Sequence, residues 1–239
     1  MDKGTARGST HVRTGGATSK AGIGVEVSLS SGLWATWAAI AIRAEAAAIG
    51  SREQLEREYP HGDWNRMTTA ELEASLVAVS GSAIAIDGLF GVIKPKSGIE
   101  DRRVQQWKAQ QIARHSRIFE VFQSCLVLGS ATNRWPQQLQ WLFSLRNDNL
   151  HFSEAFLPPA VHPVLGNTTL ERATYTSENA SKAVDVLVDV LTRVVDHPKQ
   201  TADPEFVDFT RRWKIIVQSL LALRDELKRD RELPDHSKE

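Results

Sequence analysis

Residues 68–93, TTAELEASLVAVSGSAIAIDGLFGVI, carry apolar side chains at Leu72, Leu76, Val79, Ala83, Ile86, Phe90 and Ile93. Alternating steps of four and three keep these positions on one side of an α-helix. Ala74, Ala78, Gly81, Ala85 and Gly88 form a second line, of small residues, on the opposite side. Each glycine inside a helix costs about 1 kcal/mol relative to alanine, so Gly81, Gly88 and Gly91 imply that something packs very close to this backbone. A helix buried on two faces is the centre of a bundle. Thr68 and Glu71 have the spacing of a capping box that would start it, and Lys94-Pro95 would end it.

Outward from this helix, the chain reads as more helices. Ser31 can cap one running to about Ile49, with Trp34, Trp37, Ile40, Ala41, Ala44 and Ala48 leaving little polar surface and Gly50 as its stop. Residues 51–67 form a charged linker marked by Pro60 and Gly62. Further helices are expected over 101–128, 136–151, 177–196 and 204–229. In the last, Phe206, Phe209, Trp213, Ile216, Leu220, Leu223 and Leu227 make a heptad-like seam open to its own bundle or to another chain. Pro158, Pro159, Pro163 and Gly166 mark a long irregular connection. The expected fold is all-α: a bundle of about five or six long helices spanning 22–230, with no sheet of three or more strands. A disordered, Gly/Ser/Thr-rich tail over 1–21 precedes it and a frayed charged end over 231–239 follows.

Composition narrows the function. The chain has 239 residues, 41% of them hydrophobic, and Lys plus Arg equals Asp plus Glu at 29 each, so no global field draws it to nucleic acid or an anionic membrane. The single cysteine, Cys125, excludes an intramolecular disulfide, and no Cys/His spacing suits zinc. Gly32 to Ile42 is about half the length that spans a bilayer and is closed by Arg43 and Glu45. A cytoplasmic protein without membrane anchor, metal or cofactor is the expectation. Neither a phosphate-binding loop nor a dinucleotide-binding glycine pattern is present. His115 and His162 have no partner at metal-ligand spacing, and neither Ser144 nor Cys125 has a base beside it in sequence.

One cluster is chemically dense. The fourth expected helix ends Leu142-Phe-Ser-Leu-Arg146-Asn147-Asp148-Asn149-Leu150-His151. It can be read as a helix cap, because Arg146 and His151 favour the negative end of the helix dipole and Asn149 tolerates the left-handed conformation. It also resembles the signature of the HEPN family of all-α domains, an arginine followed after four to six residues by a histidine, commonly with a polar residue after the arginine. Arg229 and Arg231 meet the same spacing with His236 in the charged tail, but only Arg146 ends a hydrophobic helix within a bundle, as in that family. The resemblance implies a metal-independent ribonuclease in which the 2′-OH of the RNA attacks the neighbouring phosphate, with His151 moving a proton and Arg146 neutralising charge. It also implies a homodimer whose two motifs share a groove, a role in defence or as a toxin, and an antitoxin or defence partner. Residues five apart on a helix point about 140° apart, which a frayed helix end or a shared cleft would reconcile. Many toxins of the family carry tyrosine two residues after the histidine; Ser153 stands there, which argues against control by nucleotide modification.

Asn147 and Asn149 are candidates for holding the imidazole or the phosphate. Asp87, between the two faces of the central helix, needs a partner if buried, and Arg146 is the candidate, with a solvated helix edge as the alternative. Arg114, Arg117, Arg211 and Arg212 belong to locally basic turns suited to RNA phosphates or to plain solvation. The rival to the ribonuclease is a non-catalytic helical module binding RNA, a nucleotide or a protein.

Overall fold

The computed structural model describes residues 32–150 and 159–232. Eight α-helices and one two-stranded hairpin are formed by these residues: α1 Leu33–Glu58, α2 Trp64–Ile93, α3 Asp101–Ala109, α4 Arg114–Cys125, α5 Trp135–Leu150, β1 Ala160–His162, β2 Gly166–Thr168, α6 Leu170–Thr174, α7 Ser177–Asp196 and α8 Pro204–Glu232. The all-α expectation holds. Ser31, the tail over 1–21 and residues 233–239 lie outside the described residues.

Helix α2 is the central element, flanked by α1, α7, α5 and α4. Its length and composition alone would suffice to cross a membrane, but more than half of its apolar window is covered by these neighbours. The small-residue face meets α1. A Cβ on Gly81 would sit 3.2 Å from the Ala41 Cβ, and one on Gly88 would sit 3.3 Å from the Trp34 Cβ. These two glycines therefore set how closely α1 approaches, whereas Gly91 has nothing within 4 Å and is not part of that contact.

Ion pairs fix the directions of the helices. Glu71 near the start of α2 reaches the backbone N–H of Ser177 at the start of α7 at 2.8 Å, so these helices rise together from one end, here called the base. Helix α1 descends beside α2 and brings Arg52 to the base. Helix α8 descends too: its Glu205 pairs with Lys96 beyond the top of α2, its Arg224 with Glu45 in mid-α1, and its Arg231 reaches Glu53 at 4.0 Å. Helix α5 descends from Trp135, whose Nε1 donates to Asp189 at 2.5 Å, to Leu145, whose carbonyl accepts from the Tyr175 hydroxyl at 2.9 Å. The motif end of α5 thus lies at the base, next to the start of α7.

Several element ends differ from the sequence reading. Gly50 does not stop α1, which continues for two more turns and buries Arg52 and Leu55. Helix α2 begins at Trp64, where the Asp63 side chain accepts from the Arg66 N–H at 3.1 Å. Thr68 and Glu71 form no capping box; both are buried inside the helix, and Thr68 donates to the Trp64 carbonyl at 2.9 Å. The expected helix over 101–128 breaks into α3 and α4 at Gln111, which has φ of 51°. Glu120 folds the pair together, accepting from Arg103 at 2.6 and 2.9 Å and from Trp107 Nε1 at 3.0 Å. The connection after residue 158 holds the hairpin and α6. Of the α8 seam, Phe206, Trp213 and Leu220 are buried, and Phe209, Ile216, Leu223 and Leu227 are half-buried against the same core.

Candidate functional site

The base of the bundle gathers two groups of polar side chains. The first is the end of α5. Arg146 is half-buried and Asn147 is exposed beside it. Among the described residues no carboxylate pairs with Arg146. His151 lies outside the described residues, and so does the side chain of Asn149. The base does not include Asp87. That carboxylate lies about 24 Å up α2 from Glu71, at 1.5 Å per residue, and pairs with Arg114 of α4. The expected Asp87–Arg146 contact is therefore replaced by one on the neighbouring helix, whose guanidinium also lies over the Phe90 ring at 4.2 Å.

The other basic candidates do not converge on Arg146. Arg114 is committed to Asp87. Arg117 is half-buried on α4, with its Nε buried and without a hydrogen-bond partner. Arg211 and Arg212 are exposed on the upper half of α8, and Arg212 pairs with Asp208 one turn away.

The second group is a buried ionic cluster. Arg52 of α1 reaches Glu71 Oε1 at 2.7 Å and Oε2 at 3.2 Å, and its Nη1 reaches Glu178 of α7 at 2.6 Å. Glu71 is 1% exposed and Arg52 5%. His162 at the end of β1 completes it. Its Nδ1 accepts from the backbone N–H groups of Val164 and Leu165, each at 3.2 Å. A neutral ring accepting at Nδ1 carries its proton on Nε2, which points at Glu71 Oε2 at 3.4 Å. The 3.3 Å approach of Arg52 Nη2 to that same nitrogen is then donor against donor, a close contact without a hydrogen bond.

Burial first, and the Arg52 charge second, hold the His162 imidazole below its ordinary range, against the opposite pull of Glu71 and Glu178. Glu178 is lowered as well: burial works to raise it, but hydrogen bonds from Thr176, from its own backbone N–H and from Arg52 outweigh burial. The cluster clamps the hairpin onto α1, α2 and α7. Because Tyr175 also grips the Leu145 carbonyl, the base around Arg146 is held from two sides.

Reading the sequence missed this cluster, treating Glu71 as a cap residue, Arg52 as linker and His162 as isolated. A signal was available. Trp34, Ala38, Ala41, Glu45, Ala48, Arg52 and Leu55 follow one another in steps of three and four, and all are buried. Two charges in step with an apolar line are charges that the fold must pair. Glu45 finds Arg224 at 2.5 and 2.8 Å, with Asp185 at 2.7 Å as its third member.

Among the described residues no group of three or more His, Cys, Asp or Glu side chains is placed to hold a metal ion. Cys125 is buried, and burial pushes its thiol up, away from nucleophilic use. Compared with protein-family models, curated proteins and solved structures, the chain matches none.

Proposed function

We propose that this chain is a metal-independent endoribonuclease of HEPN type. One observation carries the reading: Arg146, half-buried near the end of a core helix, has no carboxylate partner among the described residues, with Asn147 open to solvent beside it. Arg52, Arg103, Arg114 and Arg224 are paired with carboxylates; Arg117, Arg172 and Arg193 share the half-buried state without a carboxylate among the described residues, but only Arg146 stands in the motif. A partly desolvated guanidinium in this position suits the bidentate recognition of a phosphate.

In the proposed reaction Arg146 holds the scissile phosphate and Asn147 fixes the imidazole or the phosphate by hydrogen bonding. The 2′-oxygen bonds to phosphorus as its proton passes to water. The bond from phosphorus to O5′ breaks, its electron pair stays on O5′, and that oxygen takes a proton from His151. The products are a 2′,3′-cyclic phosphate and a 5′-hydroxyl. Residues five apart on a helix point about 140° apart, and a homodimer in which each protomer contributes to a shared groove would bring Arg146 and His151 to one phosphate. A cytoplasmic role in defence or as a toxin, held in check by a partner protein, completes the proposal.

The test is a chimeric oligonucleotide carrying a single 2′-deoxy nucleotide at the mapped cleavage position. Cleavage of the all-RNA strand that stops at the deoxy position supports internal attack. Equal cleavage of both strands refutes it and leaves a non-catalytic helical binding module as the better account of Arg146.

A further inference from the structure

Tyr59, Trp64, Leu165, Asn167, Thr168 and Arg172 enclose a cleft of about 260 Å³ between the α1–α2 turn and the β1–β2 hairpin. We infer that this cleft is a pocket for one unpaired nucleobase of an RNA strand. The inference rests on the ribonuclease reading for its choice of RNA, and its own support is the make-up of the cleft.

Among the described residues Tyr59 and Trp64 are the most exposed aromatic side chains, at 42% and 41%, and both line this cleft. Every other described aromatic is buried or half-buried. Exposed rings facing a cavity are what single-stranded RNA recognition uses, since an unstacked base regains on the ring the stacking that it lost in the strand.

The facing wall is polar. The Asn167 side chain is exposed and has no hydrogen bond to another described residue, so its amide offers both a donor and an acceptor to a base edge. Arg172 stands beside it, its Nη2 donating to Asn65 at 2.7 Å, which fixes the guanidinium at the rim. No carboxylate lines the cleft itself. The neighbouring depression is the contrast: Asp63, Arg66 and Glu73 line it, with two carboxylates and no aromatic ring.

The walls are held in place before any ligand arrives. Trp64 is the first residue of α2, behind the Asp63 cap, and the hairpin carrying Leu165 and Asn167 is anchored by His162 in the ionic cluster. The cleft also shares the base of the bundle with Arg146. Helix α6 carries Arg172 and leads to Tyr175, whose hydroxyl holds the carbonyl of Leu145, the residue before Arg146. One short helix and one tyrosine side chain connect the two sites, and the proposal takes a strand whose phosphate meets Arg146 to place a flanking base in the pocket.

The experiment uses the full chain as His151→Ala, to stop turnover, and measures binding of a short single-stranded RNA by fluorescence anisotropy. Trp64→Ala should weaken binding by about 5- to 150-fold, the range for loss of one base–aromatic stack, and Trp64→Phe should restore most of it. Oligonucleotides with one abasic site moved along the strand should show one position with a matching loss, and that loss should vanish in the Trp64→Ala background. Should Trp64→Ala lose its melting transition, Asn167→Asp, an exposed change that adds a charge opposite the strand, must weaken binding instead. The inference is overturned if folded Trp64→Ala binds within twofold of its parent, if no abasic position discriminates, or if the parent binds no RNA. Base-dependent binding in a wild-type chain that cleaves nothing keeps the pocket and sinks the ribonuclease. Cleavage that is indifferent to Trp64 sinks the pocket alone.

Discussion

Replacing Glu71 with alanine should be the most damaging single truncation at the base of the bundle. Glu71 is 1% exposed, and it accepts from Arg52, from His162 and from the Ser177 N–H at 2.8 Å. Its removal leaves the Arg52 guanidinium, 5% exposed, with only Glu178, whose side chain is 58% exposed. It also orphans a donor at the start of α7. Breaking a buried pair from one side costs about 3–5 kcal/mol, and here the water-screened Glu178 offsets little of it. Glu178→Ala removes a solvent-screened partner and should cost about 1 kcal/mol or less. Chemical denaturation followed by helical circular dichroism gives both numbers from the midpoint and slope. In the double variant Arg52→Met with Glu71→Leu, most of the loss should return, because neither buried charge is then unpaired. Equal costs for Glu71→Ala and Glu178→Ala, or a double variant as weak as the sum of its singles, would refute the claim that the cluster is a buried, mutually dependent unit.

Three further outcomes follow from the same structure. Arg224→Ala leaves Glu45, 4% exposed, without its bidentate partner and should lower stability by about 3–5 kcal/mol, while Asp185→Ala, at a carboxylate 65% exposed, should change it by about 1 kcal/mol at most. Gly50→Ala and Gly91→Ala meet nothing within 4 Å and should each stabilise by about 0.5–1 kcal/mol through helix propensity; Gly81→Leu, driven into Ala41, should destabilise by at least about 1–3 kcal/mol, read as melting temperature. Because the His162 pKa is lower in the folded chain than in the unfolded one, the unfolded state binds more protons below about pH 6.5, and stability falls as the pH drops through that value. His115 acts in the same direction, so His162→Gln should reduce, without abolishing, the slope of stability against pH between about 6.5 and the folded pKa.

What the sequence disclosed and what it hid divide along the range of the interactions. The line Leu72 to Ile93 and the glycines at 81 and 88 report local periodicity and a nearby backbone, and both were legible without a partner in view. Helix ends were less so. Gly50 is tolerated because α1 gains the burial of Leu55 and the Arg52 pairs beyond it, and the Thr68–Glu71 spacing looked like a cap although Asp63 serves that purpose one turn earlier. The buried charges were the hardest. Arg52 meets His162 across 110 residues and Glu178 across 126, and Arg224 meets Glu45 across 179. Nothing local distinguishes such residues from a solvated face except their step in an otherwise buried line. The candidate site at the end of α5 rests on a short motif and its hydrophobic context. The pairing proposed for Asp87 failed because a nearer cation, Arg114, stands on the adjacent helix. The aromatic cleft at Tyr59 and Trp64 depends on a hairpin that proline-rich sequence had marked only as irregular.

The most direct test of the ribonuclease proposal is single-turnover cleavage of a single-stranded RNA in EDTA by the wild-type chain, Arg146→Ala and His151→Ala, with the 3′ end of the upstream product identified by mass. The proposal predicts a 2′,3′-cyclic phosphate from the wild type and a loss of rate of about 10² to 10⁴ in folded His151→Ala, with Arg146→Ala also strongly impaired. Cleavage that disappears with EDTA, or that survives both substitutions, would contradict it.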